Sequence, residues 1–339
     1  MPNVRGYYNE YHGHTIDHLK AVAEELPQGR GVIYLVGDST LDNKYWLQGS
    51  TQACNGYERV LQPKTSVPDV AYWINRECEE RGLGDIFCCI NAAIEESTLG
   101  LRHGGKLLPQ DVFVQQTICE KDIVVVSMGG NDIALRPTLM TIISMIALIA
   151  CPRWLIELGI APGLGHFVSL FRDATTAYLN KVCQVRKPRA IVPCMLYYLD
   201  ERAGGSWADG TLEKLGYNKD PAKLQLIMRE VYRQGVQKIK VDGVPVVPVP
   251  LYEALDGKDT NDYVQRVEPS SQGGEKIAKL VFDRLQPALQ KMSANVEMST
   301  RASASPRPGA HATAASPTSN GSEAATAAMP DAVHLRRPS

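Results

Sequence analysis

The fold of this 339-residue chain is decided by the stretch Gly31-Val-Ile-Tyr-Leu-Val-Gly-Asp-Ser-Thr-Leu-Asp-Asn43. Its apolar run, Val32 to Val36, is typical of a buried strand and ends directly in Gly37, Asp38 and Ser39. Ligands of open α/β sheets bind at the carboxyl ends of the strands. Because Gly37 permits a sharp turn at that edge, the sequence predicts that Ser39 presents a free hydroxyl there.

A second stretch, Val124-Val-Val-Ser-Met-Gly-Gly-Asn-Asp132, repeats this design. Together, Gly-Asp-Ser-x-x-Asp-Asn and the later Gly-x-Asn-Asp resemble the SGNH (GDSL) hydrolase superfamily, over roughly residues 28 to 290. The resemblance implies that Ser39 is the nucleophile and that Asn131 donates a hydrogen bond to the oxyanion. The supporting positions that it implies are Gly37, Asp38, Gly130 and Asp132.

Two later blocks depart from the family pattern at the residues that carry the chemistry. Residues 91–98 read Asn-Ala-Ala-Ile-Glu-Glu-Ser-Thr, with Glu96 in place of the oxyanion glycine. The last block keeps the family's proline and glycine in register, but it has Glu268 at the histidine position and Gln265 at the aspartate position. The family's histidine and aspartate therefore have no counterpart in this chain.

Glu268 is the candidate base for Ser39. A glutamate is a weak base at neutral pH unless burial or a second carboxylate raises its pKa, and Glu96 is that second carboxylate if the family geometry holds. The hypothesis is that Ser39 attacks a carbonyl carbon, Glu268 takes its proton, and Asn131 with backbone amides holds the oxyanion. Glu96 is then either a proton partner or an anchor for a substrate amine.

Other bases and other functions stay open. His103 follows the second strand, whereas His166 opens an apolar helix where a structural role is the default. Histidines also precede the first strand, at His12, His14 and His18. The fold could instead be a non-catalytic binding module, or a metal-assisted hydrolase in which Asp38, Glu96 and Glu268 hold Mg²⁺ or Ca²⁺. No nucleotide-binding fingerprint follows a predicted strand, and no cofactor is expected.

Strand and helix patterns alternate along the chain, which is typical of a doubly wound parallel α/β sheet. The expected strands are 32–36, 86–90, 123–127, 190–196 and 244–249, and the expected helices include 16–26, 222–239 and 274–292. A further helix is expected to begin near Val67, with Pro68 in its first turn. The family resemblance implies a flavodoxin-like three-layer sandwich with the strand order 2-1-3-4-5.

Composition divides the chain into one domain, residues 1–292, and a tail, 293–339, whose Ala, Ser, Thr and Pro content predicts disorder. A hydrophobic content of 44% suffices for one sizeable core. The net charge of −1 predicts no nucleic-acid partner. Eight scattered cysteines and an N-terminus without an apolar signal favour reduced thiols in a cytoplasmic protein.

An uncharged apolar run, Thr138–Cys151, lies within an insertion of residues 138–170. The run is short for a bilayer span. It is either a helix packed on the sheet or an apolar lid that contacts an acyl chain or a membrane surface, which would make the substrate a lipid ester. The loop 197–209 also leaves the catalytic edge and either shapes a pocket or is an ordinary exposed loop. The aspartates considered for orienting the site are Asp256, Asp259 and Asp262.

Overall fold

Five parallel strands form the central sheet of the computed structural model, which describes the backbone of residues 2–303 and the side-chain surroundings of residues 2–291. The strands in chain order are β1 (Gly31–Gly37), β2 (Thr51–Gln52), β3 (Thr65–Ser66), β4 (Phe87–Asn91), β5 (Ile123–Ser127), β6 (Ala190–Met195), β7 (Val249–Pro250), β8 (Tyr263–Val264) and β9 (Glu268–Pro269). The sheet runs β4-β1-β5-β6-β7, which confirms the order 2-1-3-4-5 for the five predicted strands. The remaining strands form two small antiparallel pairs, β2 with β3 and β8 with β9.

Helices connect the strands and cover both faces of the sheet. They are α1 (Val4–Tyr8), α2 (Ile16–Glu25), α3 (Tyr57–Val60), α4 (Val70–Glu80), α5 (Pro109–Thr117), α6 (Gly130–Ala134), α7 (Leu139–Ala150), α8 (Arg153–Glu157), α9 (Leu164–Ser169), α10 (Thr175–Val182), α11 (Asp209–Lys214), α12 (Pro221–Gln234) and α13 (Ser271–Ser303). Short 3₁₀ segments and one π-helical turn, Leu170–Ala174, complete the connections.

Alternation along β1 explains the three layers. Ile33 and Leu35 point to one face, where α4 and α13 pack, whereas Tyr34 and Val36 point to the face covered by α2, α5, α10 and α12. Burying each such side chain contributes about 1.5–3 kcal/mol. Both faces of β1 are therefore apolar. The polar side chains of Asp38 and Ser39 follow directly after the strand ends.

Some predicted boundaries were wrong. The fifth strand spans only Val249–Pro250, with one further bridge from Val246 to β6, because prolines interrupt the predicted 244–249 strand and cannot donate to a ladder. Helix α4 begins after Asp69, whose side chain caps it, so Pro68 precedes the helix. Helix α13 continues to Ser303, past the predicted end, and most of the predicted disordered tail lies outside the described residues.

The apolar insertion forms α7, α8 and α9. Helix α7 packs Met145 and Leu148 into the core together with the polar Thr141 and Ser144. No helix in the part of the chain that the structure describes is long and apolar enough to cross a membrane. The eight cysteines are unpaired, and all of them except the half-buried Cys119 are buried.

Candidate functional site

The first two motifs leave the sheet side by side. Gly37 of β1 pairs with Ser127 of β5, so the turn that carries Asp38 and Ser39 lies beside the turn that carries Asn131. Gly37 has φ +128°, and a Cβ there would lie 1.8 Å from the Ser127 carbonyl oxygen. Only glycine fits this close approach. Ser39 is consequently presented, half-buried, at the carboxyl edge of the sheet, as the sequence predicted.

A strained turn carries Glu268 to the same edge. Gln265 and Arg266 have φ values of +52° and +66°, in the left-handed region that favours glycine. The buried Arg266 holds this turn by donating to the Asp200 carbonyl at 3.0 Å and to the Asp209 carboxylate at 2.6 Å. Glu268 follows in β9 and lines the same cavity as Ser39.

Glu268 has a buried carboxyl neighbour, Glu95. Each residue is 4% exposed, and one carboxyl oxygen of each has no hydrogen-bond partner among the described residues. Burial raises the pKa of Glu268 to about 8, a rise that hydrogen bonding from the Ser39 hydroxyl reduces. Burial and then the charge of Glu268 raise the pKa of Glu95 to about 10. Glu268 therefore ionises before Glu95, which keeps its proton at neutral pH.

Glu95 is the residue that sequence reasoning missed, since that reasoning placed Glu96 beside Ser39. Glu96 has φ +58°, in the left-handed region that favours glycine. Its carboxylate accepts a hydrogen bond from the Tyr11 hydroxyl at 3.0 Å. Which of two adjacent glutamates turns inward depends on this left-handed backbone, and no pattern in the sequence separates them.

Two further buried carboxyl groups and one buried cation support the site. Burial raises the pKa of Asp38 to about 7, although hydrogen bonds from Thr40 lower it. Burial also raises the pKa of Asp42, to about 6, against the opposing effect of Lys44. The side chains of Asp42 and Lys44 are fully buried and pair at 2.6 Å. Asp42 also accepts a hydrogen bond from the Glu95 backbone at 3.0 Å, and so the ion pair holds the Glu95 loop.

Asn131 supplies an amide donor beside Ser39. Its Nδ2 donates to the Ser97 carbonyl at 3.1 Å, which leaves the second amide hydrogen for another acceptor. Asp132 accepts from the backbone of Leu99 and Gly100 at 2.8 and 2.9 Å and so orders the loop that carries Ser97. Asn131 is half-buried and lines the cavity together with Ser39 and Gly130.

An apolar cavity of about 150 Å³ extends from these polar groups. Away from Ser39, its walls come from the segment 195–215, from α12 and from residues in and just after the insertion, with Met145, Phe167, Phe171, Leu224, Met228 and Val231 among the lining side chains. A cavity of about this volume accommodates a benzene molecule, which has six carbons. The arrangement therefore combines a hydroxyl, a carboxyl and an amide donor at one end with room for an apolar group behind them.

The loop after β6 contributes to this cavity. Tyr197, Leu199 and Trp207 line it, which agrees with the pocket-shaping interpretation of loop 197–209. The downstream aspartates lie elsewhere, since Asp262 pairs with Lys276 at 2.7 Å. A separate surface groove is bordered by all three of the aspartates considered for orienting the site: Asp256, Asp259 and Asp262.

No histidine among the described residues lines the cavity at Ser39. His103 borders a different surface groove, and His166 contacts the Thr141 hydroxyl at 3.0 Å, which joins α9 to α7. His14 stacks on a tyrosine in the core, and burial lowers its pKa. His12 contacts the backbone oxygen of Glu95 at 3.5 Å, and its ring packs against that of Tyr11 with the centroids 4.8 Å apart. The titratable side chains that share the cavity with Ser39 are therefore Glu268, Asp38 and Tyr197.

The metal-assisted alternative finds no support in the donor arrangement. Within residues 2–291, no three or more His, Cys, Asp and Glu side chains are grouped as metal ligands would be. Asp38, Glu96 and Glu268 therefore do not form the proposed cation site, since Glu96 turns to Tyr11.

Comparison of the chain with known proteins finds similarity to solved structures. No family model and no curated protein matches the chain. An acetyl xylan esterase from Geobacillus stearothermophilus is 13% identical, with a TM-score of 0.43 over 77% of this chain and 96% of that chain. A carbohydrate esterase family 3 protein from Talaromyces cellulolyticus is 15% identical (TM-score 0.40, 77% and 99% covered), and an extracellular lipase from Streptomyces rimosus is 14% identical (TM-score 0.40, 75% and 98% covered).

Proposed function

We propose that this protein hydrolyses carboxylic esters with an apolar acyl group, using Ser39 as the nucleophile and Glu268 as the base. The observation that carries the proposal is the apolar cavity whose lining includes Ser39, Glu268 and Asn131. A hydroxyl needs a base to become a useful nucleophile, and a carboxylate whose pKa is raised toward neutrality is a better base than an ordinary one. Burial raises the pKa of Glu268 in this way.

The proposed reaction has two halves. Ser39 Oγ attacks the carbonyl carbon while its proton passes to the Glu268 carboxylate, and the free Nδ2 hydrogen of Asn131 stabilises the oxyanion. The intermediate collapses, the C–O bond to the alcohol breaks, and the alkoxide takes the proton from Glu268. Water then attacks the acyl-enzyme while its proton passes to Glu268, the bond between the acyl carbon and Ser39 Oγ breaks, and Glu268 returns the proton to Ser39 Oγ as the acid leaves. Glu96 and Glu95 take no proton from Ser39 in this scheme.

The test is turnover of p-nitrophenyl esters from acetate to decanoate by the full chain, beside Ser39→Ala and Asn131→Ala. We expect activity to peak near six carbons, to disappear with Ser39→Ala, and to fall about 10²- to 10³-fold with Asn131→Ala, as for loss of one oxyanion donor. No turnover of any ester by the folded protein would overturn the proposal and favour the binding module. Turnover that survives Ser39→Ala would equally contradict it.

The cavity predicts how acyl-chain preference changes with its volume. Met228→Trp on α12 fills the cavity and should lower kcat/KM for hexanoate about tenfold while leaving acetate within about twofold, because one methylene is worth about 1–3 kcal/mol in an apolar pocket. Met228→Leu conserves volume and is the matched control. Equal losses for acetate and hexanoate would show that the acyl chain does not enter this cavity.

We further propose that the outer face of α7 rests on a lipid surface. Nine of the fourteen large exposed apolar side chains among the described residues fall within residues 135–160: Leu135, Leu139, Met140, Ile142, Ile143, Ile146, Trp154, Leu158 and Ile160. Concentrations of this kind mark interaction sites. The helix carries no charge, and Arg136 before it complements anionic headgroups, whereas Arg153 after it pairs with Asp220. Met145 on the inner face of the same helix lines the cavity, so an acyl chain would have a short path to it.

Co-sedimentation with phosphatidylcholine vesicles that contain phosphatidylserine tests this contact. The double variant Ile143→Asp/Ile146→Asp should reduce the bound fraction at least about tenfold, because two charges would enter the acyl region. Val185→Asp changes an apolar side chain that is 69% exposed outside this region, and it should bind as the natural protein does. Absence of vesicle binding by the natural protein, or equal binding by the double variant, would overturn the proposal.

A further inference from the structure

A cluster of aromatic rings borders the carboxyl groups of the site and has no role in the chemistry above. The Tyr11 and Tyr45 rings are 4.7 Å apart at 74°, and the Tyr45 and Trp46 rings are 5.7 Å apart at 90°. Tyr45 is 53% exposed, although its ring is large and apolar. Rings that stand nearly perpendicular with an accessible face are the walls from which cages for quaternary ammonium groups are built.

Hydrogen bonds join this cluster to two glutamates. Tyr11 donates to the Glu96 carboxylate at 3.0 Å, and Trp46 Nε1 donates to the Glu95 carboxyl at 3.4 Å. The other oxygen of Glu95 is buried and has no partner among the described residues. Burial raises the pKa of the Tyr11 hydroxyl, and its hydrogen bond to Glu96 adds to that rise, which places Tyr11 in the electrostatic surroundings of these carboxyl groups.

The Glu96 carboxylate has no cationic partner in the described part of the chain. Within residues 2–291, neither Glu95, Glu96 nor Glu268 forms a salt bridge with a lysine or arginine. The buried cations near the site are committed to other carboxylates, Lys44 to Asp42 and Arg102 to Asp111. A carboxylate without a cationic partner, beside an exposed aromatic ring, is a feature that a cationic ligand would complete.

The cluster lies outside the apolar cavity. Glu268 and Ser39 line that cavity, whereas Tyr11, Tyr45 and Trp46 do not. If the acyl chain fills the cavity, the alcohol part of the ester extends away from it. We infer that Tyr11, Tyr45, Trp46, Glu95 and Glu96 bind a quaternary ammonium group on the alcohol part of the substrate. This inference rests on the proposed ester hydrolysis and specifies its substrate class, esters of cationic alcohols.

The test compares two esters of hexanoic acid that differ only in charge, hexanoylcholine and 3,3-dimethylbutyl hexanoate, in which carbon replaces the ammonium nitrogen. We expect kcat/KM to be about 10- to 30-fold higher for the choline ester, mainly through KM. Tyr45→Ala and Glu96→Gln should bring the two esters to within about twofold of each other, while Val185→Ala keeps the preference. Equal rates for the two esters in the natural protein would overturn the inference and leave the proposed hydrolysis intact.

A binding measurement separates the two proposals if neither ester is hydrolysed. Titration calorimetry of tetramethylammonium into the full chain should show binding that weakens at least fivefold in Tyr45→Ala and in Glu96→Gln. Such binding without hydrolysis would support the cation site and contradict the esterase. Absence of binding at millimolar tetramethylammonium would overturn the cation site whatever the hydrolysis result.

Discussion

Glu268→Gln is expected to lower kcat for ester hydrolysis by about 10²- to 10⁴-fold, the usual contribution of a general base. The amide is nearly isosteric with the carboxyl group but cannot accept the proton of Ser39. In the natural protein, kcat should rise with pH through about 8, because the base acts only when ionised and burial raises the pKa of Glu268 to about 8. The residual activity of Glu268→Gln should lose this dependence, which a pH–rate profile from pH 5 to 10 would record.

The same substitution is expected to stabilise the protein in alkali. A carboxyl group whose pKa is raised in the folded state adds stability that is fully present below its unfolded pKa and is lost as pH rises through its folded pKa. For Glu268 this window runs from about 4.5 to about 8. Glu268→Gln should therefore exceed the natural protein by roughly 2–4 kcal/mol in unfolding free energy at pH 9, and by much less at pH 5.

Urea unfolding at the two pH values measures this difference. Glu120→Gln, on the surface, is the control and should change stability by less than about 0.5 kcal/mol at either pH. If Glu268→Gln were less stable than the natural protein at pH 9, the folded protein would stabilise the ionised Glu268 carboxylate. Its role as a raised-pKa base would then be untenable.

Lys44→Met is the second substitution with a large expected effect, a loss of about 3–5 kcal/mol in unfolding free energy at neutral pH. Lys44 and Asp42 are fully buried and pair at 2.6 Å, so the substitution leaves an uncompensated carboxylate in the core. The deficit should shrink as the pH falls, because loss of Lys44 raises the pKa of Asp42 above the value of about 6 that it has beside the lysine, and a protonated carboxyl group needs no cation. Urea unfolding at pH 5 and pH 8 would measure both values.

The double variant Lys44→Met/Asp42→Asn is the control for this prediction. It removes both charges, and it should recover most of the lost stability because no ion is left buried. The asparagine carbonyl can still accept the hydrogen bond from the Glu95 backbone. A double variant as unstable as Lys44→Met would mean that the packing of the lysine stem, and not its charge, holds this part of the core.

Much of the fold was predictable because the central strands are short runs of β-branched and apolar residues that end in glycine or polar residues. Runs such as 32–36 and 123–127 can be buried on both faces, and the structure confirms them. The edge strand β7 was not predictable to the same degree, because Pro245, Pro248 and Pro250 limit its hydrogen bonds. The strand order came from the family resemblance and not from periodicity.

The candidate site was predictable only where backbone motifs specify it. Gly37 and Gly129 have positive φ values in the turns at the strand ends, and these turns bring Ser39 and Asn131 to one edge. The inward turn of Glu95 depends on a left-handed residue beside it, and the approach of Tyr11 spans 85 residues to Glu96. Such contacts arise from tertiary packing, which local patterns do not encode.

Labelling with a fluorophosphonate probe, followed by peptide mass spectrometry, tests the central claim most directly. An ester hydrolase with an activated serine should form one adduct, on Ser39 Oγ, with a rate that rises through about pH 8. The adduct should be absent from Ser39→Ala and at least about 100-fold slower in Glu268→Gln. No adduct on Ser39 at any pH, or an equal labelling rate in Glu268→Gln, would contradict the account.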